Sequence, residues 1–187
     1  MVFNGTYWAI RTYKIIRLIG AEGPIEVSQF GAILATSRPE KELTMPKSGV
    51  TKQQLIDALN EDLAREYQAI IQYVVYSQVI KGAQYQSIAK ELEVHAAEEL
   101  DHAIRIAKQI DYLKGDPTVV PKKPRTSKDA KKMLQFDLDA ENETIENYRQ
   151  RIQQAEELGE YALSEELREI IRQEQEHKID LESALGI

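Results

Sequence analysis

A Glu-x-x-His occurs twice in this chain, at Glu99-Leu100-Asp101-His102 and at Glu174-Gln175-Glu176-His177, and the two copies are 174 − 99 = 75 residues apart. Residues three apart on a helix lie one above the other on the same face, so each pair can present a carboxylate and an imidazole to one point. The same offset relates much more of the chain. Asp62, Leu63, Glu66, Ile70, Tyr73 and Gln78 return as Asp137, Leu138, Glu141, Ile145, Tyr148 and Gln153, and Glu91, Leu92 and Ile104 return as Glu166, Leu167 and Ile179. The chain is therefore read as two copies of one helical hairpin.

In each copy an isolated glutamate precedes the Glu-x-x-His by the same distance, 99 − 66 = 174 − 141 = 33 residues. A tight turn between the two helices of a hairpin would bring that glutamate back level with the pair. Two hairpins packed face to face would then gather four carboxylates and two imidazoles about a pseudo-twofold axis. In a chain with 22 glutamates among 187 residues, a glutamate three positions before a given histidine is about a one-in-eight coincidence. Two of the three histidines obey the spacing, and both have a matched glutamate upstream. Glu66 falls three residues after Leu63 and four before Ile70, on the apolar stripe, and Glu141 repeats this between Leu138 and Ile145. A buried carboxylate without a partner is costly, and a metal ion removes that cost.

Four helices are expected. Thr51-Lys52-Gln53-Gln54 is a capping box that opens a first helix over about 51–81, with Leu55, Leu59, Leu63, Ile70 and Val74 inward and Gly82 at its end. A second helix spans about 84–114, with Ile88, Leu92, Ala96, Ile106 and Ile110 inward, and Gly115 stops it. After a polar connection containing Pro117, Pro121 and Pro124, a third helix runs from near Ser127 to about 158, and a fourth from about 160 to 185. At ~1.5 Å per residue the second helix is about 45 Å long. A dozen connecting residues at ~3.5 Å each reach about 40 Å, enough to run most of the length of the bundle and to set the third helix parallel to the second. The fold class is all-α, a four-helix bundle with one long crossover between the second and third helices.

A composition of 42 % apolar and 29 % charged residues suits one helical domain with its own core. A formal charge of −7 argues against nucleic acid held on a globally basic surface and suits a protein that gathers cations. Zero cysteines exclude disulfides, thiolate metal sites and cysteine catalysis, and a reducing cytoplasm is the default location. No apolar run approaches the ~20 residues that span a bilayer. Residues 1–44 carry Gly5, Gly20, Gly23, Pro24 and Gly31 among short apolar runs and have no long helical period. They are read either as an amphipathic targeting or docking arm or as codons upstream of a true start at Met45, in both cases poorly ordered; the bundle is assigned to 45–187.

Carboxylates and imidazoles without thiolates suit iron or manganese and can hold two divalent ions with bridging carboxylates; zinc would be redox-silent. Glu66 and Glu141 are read as terminal ligands, Glu99 and Glu174 as bridges, and His102 and His177 as one imidazole for each metal. From Glu61 to Leu185 the chain resembles the ferritin superfamily, bacterioferritin in particular and also the Dps-like ferritins. The resemblance lies in Glu66-Tyr-Gln-Ala-Ile-Ile-Gln-Tyr73, Glu99-Leu-Asp-His-Ala103, Asp137-Leu-Asp-Ala-Glu141 and Glu174-Gln-Glu-His177. It implies a di-iron ferroxidase centre that oxidises Fe(II) with dioxygen or peroxide for iron storage or detoxification. The alternative is a di-iron or di-manganese oxidase or peroxidase acting on peroxide or a small organic substrate. Tyr73 is implied beside the centre, either with a redox role or as a core tyrosine with a satisfied hydroxyl, and Tyr148 repeats it. Leu100 stands where bacterioferritin has its haem-binding methionine, so haem is not expected. A fifth channel-lining helix has no counterpart, so the expected assembly is a dimer or a 12-subunit shell. The chain also lacks the cysteine pair of the Dps-like group, and Thr144 replaces the extra glutamate of rubrerythrin-like peroxidases. His95, seven residues before His102, is read as a structural or hydrogen-bonding histidine in preference to an accessory metal ligand. Glu93, Glu98 and Asp101 are read as solvating the surface in preference to guiding cations inward.

Overall fold

Residues 49–187 are described by the computed structural model; the expectations for residues 1–44 lie outside them. Among the described residues four helices follow one another: α1 (Lys52–Val79), α2 (Gln86–Tyr112), α3 (Ala130–Glu157) and α4 (Tyr161–Leu185), with one 3₁₀ turn at Ala83–Tyr85 before α2. The helices pack as two hairpins, α1 on α2 and α3 on α4, and the hairpins meet through α1 on α3 and α2 on α4.

The ends of the helices have local causes. The Thr51 hydroxyl accepts from the Gln54 backbone N–H at 3.2 Å while the Gln54 side chain accepts from the Thr51 N–H at 2.8 Å, the reciprocal pair that the capping box predicts. The first helix ends at Val79, before Gly82, whose φ of +125° belongs to the following turn. The third helix starts at Ala130, later than expected, because Asp129 caps it by accepting from the Lys132 N–H at 2.8 Å.

At the end of α2 the left-handed residue is Lys114 (φ 68°), and the Gly115 N–H bonds back to Ile110 O at 2.9 Å. Gly115 is needed there for closeness instead. A Cβ on it would lie 2.5 Å from Ile56 Cγ2 of α1.

The crossover grips α1 along one stripe. Asn60 donates to Asp116 O and accepts from the Thr118 N–H; the Lys122 N–H donates to Ala64 O; Gln68 donates to Lys123 O; Gln72 accepts from the Arg125 N–H; and the Tyr76 hydroxyl donates to Arg125 O, all at 2.6–3.1 Å. These positions recur every four residues of α1, one face of a helix. The connection therefore climbs beside α1 in the same direction and delivers α3 antiparallel to α1 and parallel to α2.

The core divides into two apolar clusters. One contains Leu55, Leu59, Leu63, Ile106, Ile110, Leu167 and Tyr148; the other contains Leu92, Leu134, Leu138, Leu181, Tyr76 and Tyr73. The expected inward residues of α2 are all buried, but Val74 of α1 is 51 % exposed. The buried stripe reaches Tyr73, and Val74, about 100° further round, is turned outward. No helix of the described residues is long and apolar enough to cross a membrane.

Candidate metal centre

Each helix contributes to one buried polar layer: Glu66 from α1, Glu99 and His102 from α2, Glu141 from α3, Glu174 and His177 from α4. None of the six is more than 3 % exposed. Their donor atoms fall into two overlapping groups, Glu66, Glu99, His102 and Glu174, and Glu99, Glu141, Glu174 and His177. Within each group the atoms lie within 4.8 Å of one another.

The overlap has a definite geometry. Glu99 turns Oε2 to His102 Nδ1 at 3.2 Å and Oε1 to His177 Nδ1 at 3.0 Å. Glu174 turns Oε1 to His102 Nδ1 at 3.1 Å and Oε2 to His177 Nδ1 at 3.3 Å. Glu66 and Glu141 stand further off and on one side each, at 3.7 Å from His102 and 4.0 Å from His177. Close as they are, Glu99 Oε1, both Glu174 oxygens and His177 Nδ1 make no hydrogen bond.

The outward ring nitrogens are occupied. His102 Nε2 faces Gln173 Oε1 at 3.0 Å and His177 Nε2 faces Glu98 Oε2 at 2.9 Å. Both partners accept, so Nε2 donates and Nδ1 is the nitrogen turned to the carboxylates. Each histidine is thus oriented from the opposite hairpin. Glu98 and Gln173 were not singled out by sequence reasoning as orienting residues, although 173 − 98 = 75 puts them at equivalent positions of the repeat.

Two tyrosines close the layer. The Tyr73 hydroxyl donates to Glu141 and the Tyr148 hydroxyl to Glu66. Burial, reinforced by Glu141 for Tyr73 and by Glu66 for Tyr148, pushes both phenols well above their ordinary range, so both keep the proton they donate. Beyond them lie Asp62, paired with Arg151 Nε at 2.7 Å, and Asp137, which accepts from Gln72 Nε2 at 2.7 Å.

The electrostatics balance without any ion. Burial, followed by the neighbouring carboxylates, raises Glu66 and Glu141 well above the carboxylate range. Burial also opposes ionisation of Glu99 and Glu174, but the adjacent His102 and His177, with Glu66 beside Glu99, outweigh it, and both are lowered. Burial disfavours the imidazolium of His102 and His177, yet the facing carboxylates prevail and raise both, His177 to about 12. Two neutral acids, two carboxylates and two imidazoliums sum to zero. Two divalent cations with four carboxylates and two neutral imidazoles sum to zero as well, so the layer can exchange protons for metal without leaving net charge in the interior.

A cavity of about 420 Å³ opens onto this layer between α1, α3 and the crossover. Glu66, Glu99, Glu141 and Glu174 form its floor, and Arg65, Lys122, Lys123 and Arg125 stand among its walls.

The family model described as a ferritin-like domain matches residues 56–187. A bacterioferritin of Desulfovibrio desulfuricans is 31 % identical over 127 residues, covering 67 % of this chain and 71 % of that protein. A bacterioferritin of Brucella melitensis is 26 % identical over 134 residues, covering 71 % and 83 %. Among solved structures, a ferritin-like di-iron carboxylate protein of Bacillus anthracis superposes with a TM-score of 0.69 at 34 % identity, over 72 % of this chain and 96 % of that one. A dodecameric thioferritin, the bacterioferritin-related protein of Bacteroides fragilis, superposes with a TM-score of 0.68 at 30 % identity, over 73 % and 87 %.

Proposed function

From the premise that this chain belongs to the ferritin-like domain family, we propose that it takes Fe(II) as substrate at the buried layer and oxidises it with dioxygen or peroxide, serving iron storage or detoxification. The observation that carries this reading is the posture of Glu99 and Glu174, each with one oxygen toward His102 and the other toward His177. That is the arrangement of two carboxylates shared between two ions. Donor atoms buried without hydrogen bonds are what a pair of cations would satisfy. Glu66 and Glu141 are the terminal ligands in this reading, and His102 and His177 supply one imidazole to each ion. An iron pair held there supplies two electrons to one acceptor molecule, one from each Fe(II).

The chain's own groups do the rest. Glu98 and Gln173 hold the imidazoles with Nδ1 inward. Tyr73 and Tyr148 position Glu141 and Glu66 by donating to them; at the same time Tyr73 is the candidate for a redox role at the site. The two apolar clusters exclude water on both sides of the layer.

Manganese fits the same donors. The alternative, a di-iron or di-manganese oxidase or peroxidase, draws support from the cavity, which is large enough for a small organic substrate and carries four cationic side chains near its floor of carboxylates. A homo-oligomer, dimer or 12-subunit shell, is supported by exposed Ile71, Val74, Val75 and Val79 along α1 and Leu100 and Ile104 on α2.

Aerobic Fe(II) titration followed at ~300 nm decides between the readings, because ferric species absorb there. Absorbance that keeps rising well beyond two irons per chain supports storage; a plateau at two supports the oxidase. Glu99→Ala should abolish the rapid phase, and unchanged kinetics in that variant would remove Glu99 from the bridging role.

A further inference from the structure

Repeat positions that differ in chemistry reveal a second place for a cation. On one side of the α2–α4 contact, Arg105 of α2 donates from Nε to Glu166 of α4 at 2.7 Å and lies 3.2 Å from Glu169, and Ile170 of α4 is buried. Shifting by 75 residues maps Glu166 to Glu91, Ile170 to His95 and Arg105 to Asp180. The guanidinium is therefore replaced by a carboxylate and the apolar side chain by an imidazole. Where one half of the molecule holds a positive charge, the other half turns three potential ligands toward the same space. One donor atom each from Glu91, His95 and Asp180 lies within 4.8 Å of the others.

His95 is the second, independent observation. It is 2 % exposed, its Nδ1 has no hydrogen-bond partner, and its Nε2 reaches only Asp180 Oδ2, at 3.3 Å. Glu91 makes no hydrogen bond or ion pair among the described residues. The Asp180 side chain is 45 % exposed, so the triad is reachable from solvent.

We propose that Glu91, His95 and Asp180 bind a divalent first-row transition metal ion, Fe(II) included, at a third site one helical turn from the dinuclear layer. Two carboxylate oxygens and one imidazole nitrogen form a mixed O/N set, with open positions for water. The site is also placed to pass its ion inward. The His95 ring lies 4.1 Å from that of His177, and His95, Glu98 and His177 themselves bring donor atoms within 4.8 Å of one another. An ion could thus step from the half-exposed triad past Glu98 toward the layer. The third site stands on its own residues and does not require that the layer oxidise iron.

Zn(II), which is redox-silent, is the probe. Calorimetric titration of the full chain, with anomalous diffraction from Zn(II)-loaded crystals to place each ion, should give three sites in the wild type. His95→Ile, which installs the twin residue, and Asp180→Asn, a change at a half-exposed position that leaves the core intact, should each weaken the third site by about tenfold or more. Both should leave the other two ions in place. Glu66→Ala with Glu141→Ala should do the reverse, so loss of the layer is distinguishable from loss of the triad. Two ions in the wild type, none of them between Glu91 and Asp180, would overturn the proposal, as would a third ion held equally well by Asp180→Asn.

Discussion

Burial sets protonation at single residues of this molecule, and two predictions follow from its direction. Metal uptake by the layer must displace a proton from each of His102, His177, Glu66 and Glu141, since all four are raised. Anaerobic addition of divalent ion in weakly buffered solution should therefore release about four protons per pair of ions, and affinity should fall as pH falls. Binding without proton release would contradict the charge exchange described for the layer. Asp137 is a second case. Burial moves it from 3.8 to about 8, so the folded chain keeps a proton that the unfolded chain loses. The unfolded state then binds fewer protons between those two values, and this group costs stability at roughly 1.4 kcal/mol per pH unit over that range and a constant amount above it. Asp137→Asn removes the slope. Relative to wild type, the metal-free variant should gain stability from about pH 4 to pH 8 and no more beyond, as read by urea unfolding; a gap that does not change with pH would exclude the mechanism.

Among the elements, the α2 terminus and the crossover set how the hairpins meet. The close approach at Gly115 means that Gly115→Ala should push Ile56 aside, with a Cβ at 2.5 Å from Ile56 Cγ2 and 3.1 Å from Ile110 Cγ2. Overpacking of this kind costs about 1–3 kcal/mol, visible as a lowered Tm. An unchanged Tm would mean that α1 and the end of α2 slide apart freely. The sequence marks Gly115 as a helix stop, but a stop and a close contact look alike in one dimension. Lys114 takes the left-handed turn, and only the distance between α1 and α2 explains the glycine. Val74 shows the same limit. Its place in an apolar stripe is consistent with either face until Tyr73 and Tyr76 occupy the interior.

For the molecule as a whole, the apolar residues left outside the core bear on assembly. Leu100 and Ile104 are 51 % and 59 % exposed one turn apart on α2, and Val74 and Val75 are 51 % and 41 % exposed on α1. Leu100→Glu with Val74→Glu should lower the assembly mass in sedimentation or light scattering while leaving the helical content unchanged; an unaltered mass would place the subunit contacts elsewhere. Spacing along the chain determined a good deal by itself: two hairpins, an all-α bundle with a long crossover, and six donor residues on inward faces, because the rise and turn of a helix fix which side chains share a face. The capping box at Thr51 was legible for the same reason. What only the tertiary structure decided is everything that depends on register between helices. That includes which oxygen of Glu99 and Glu174 meets which histidine, the reach of Glu98 and Gln173 across hairpins, the hydroxyls of Tyr73 and Tyr148 on opposite glutamates, and the meeting of Glu91 with Asp180. Sequence spacing acts within one helix, whereas these contacts join helices whose relative height is set by packing of the two apolar clusters and by the grip of the crossover on α1.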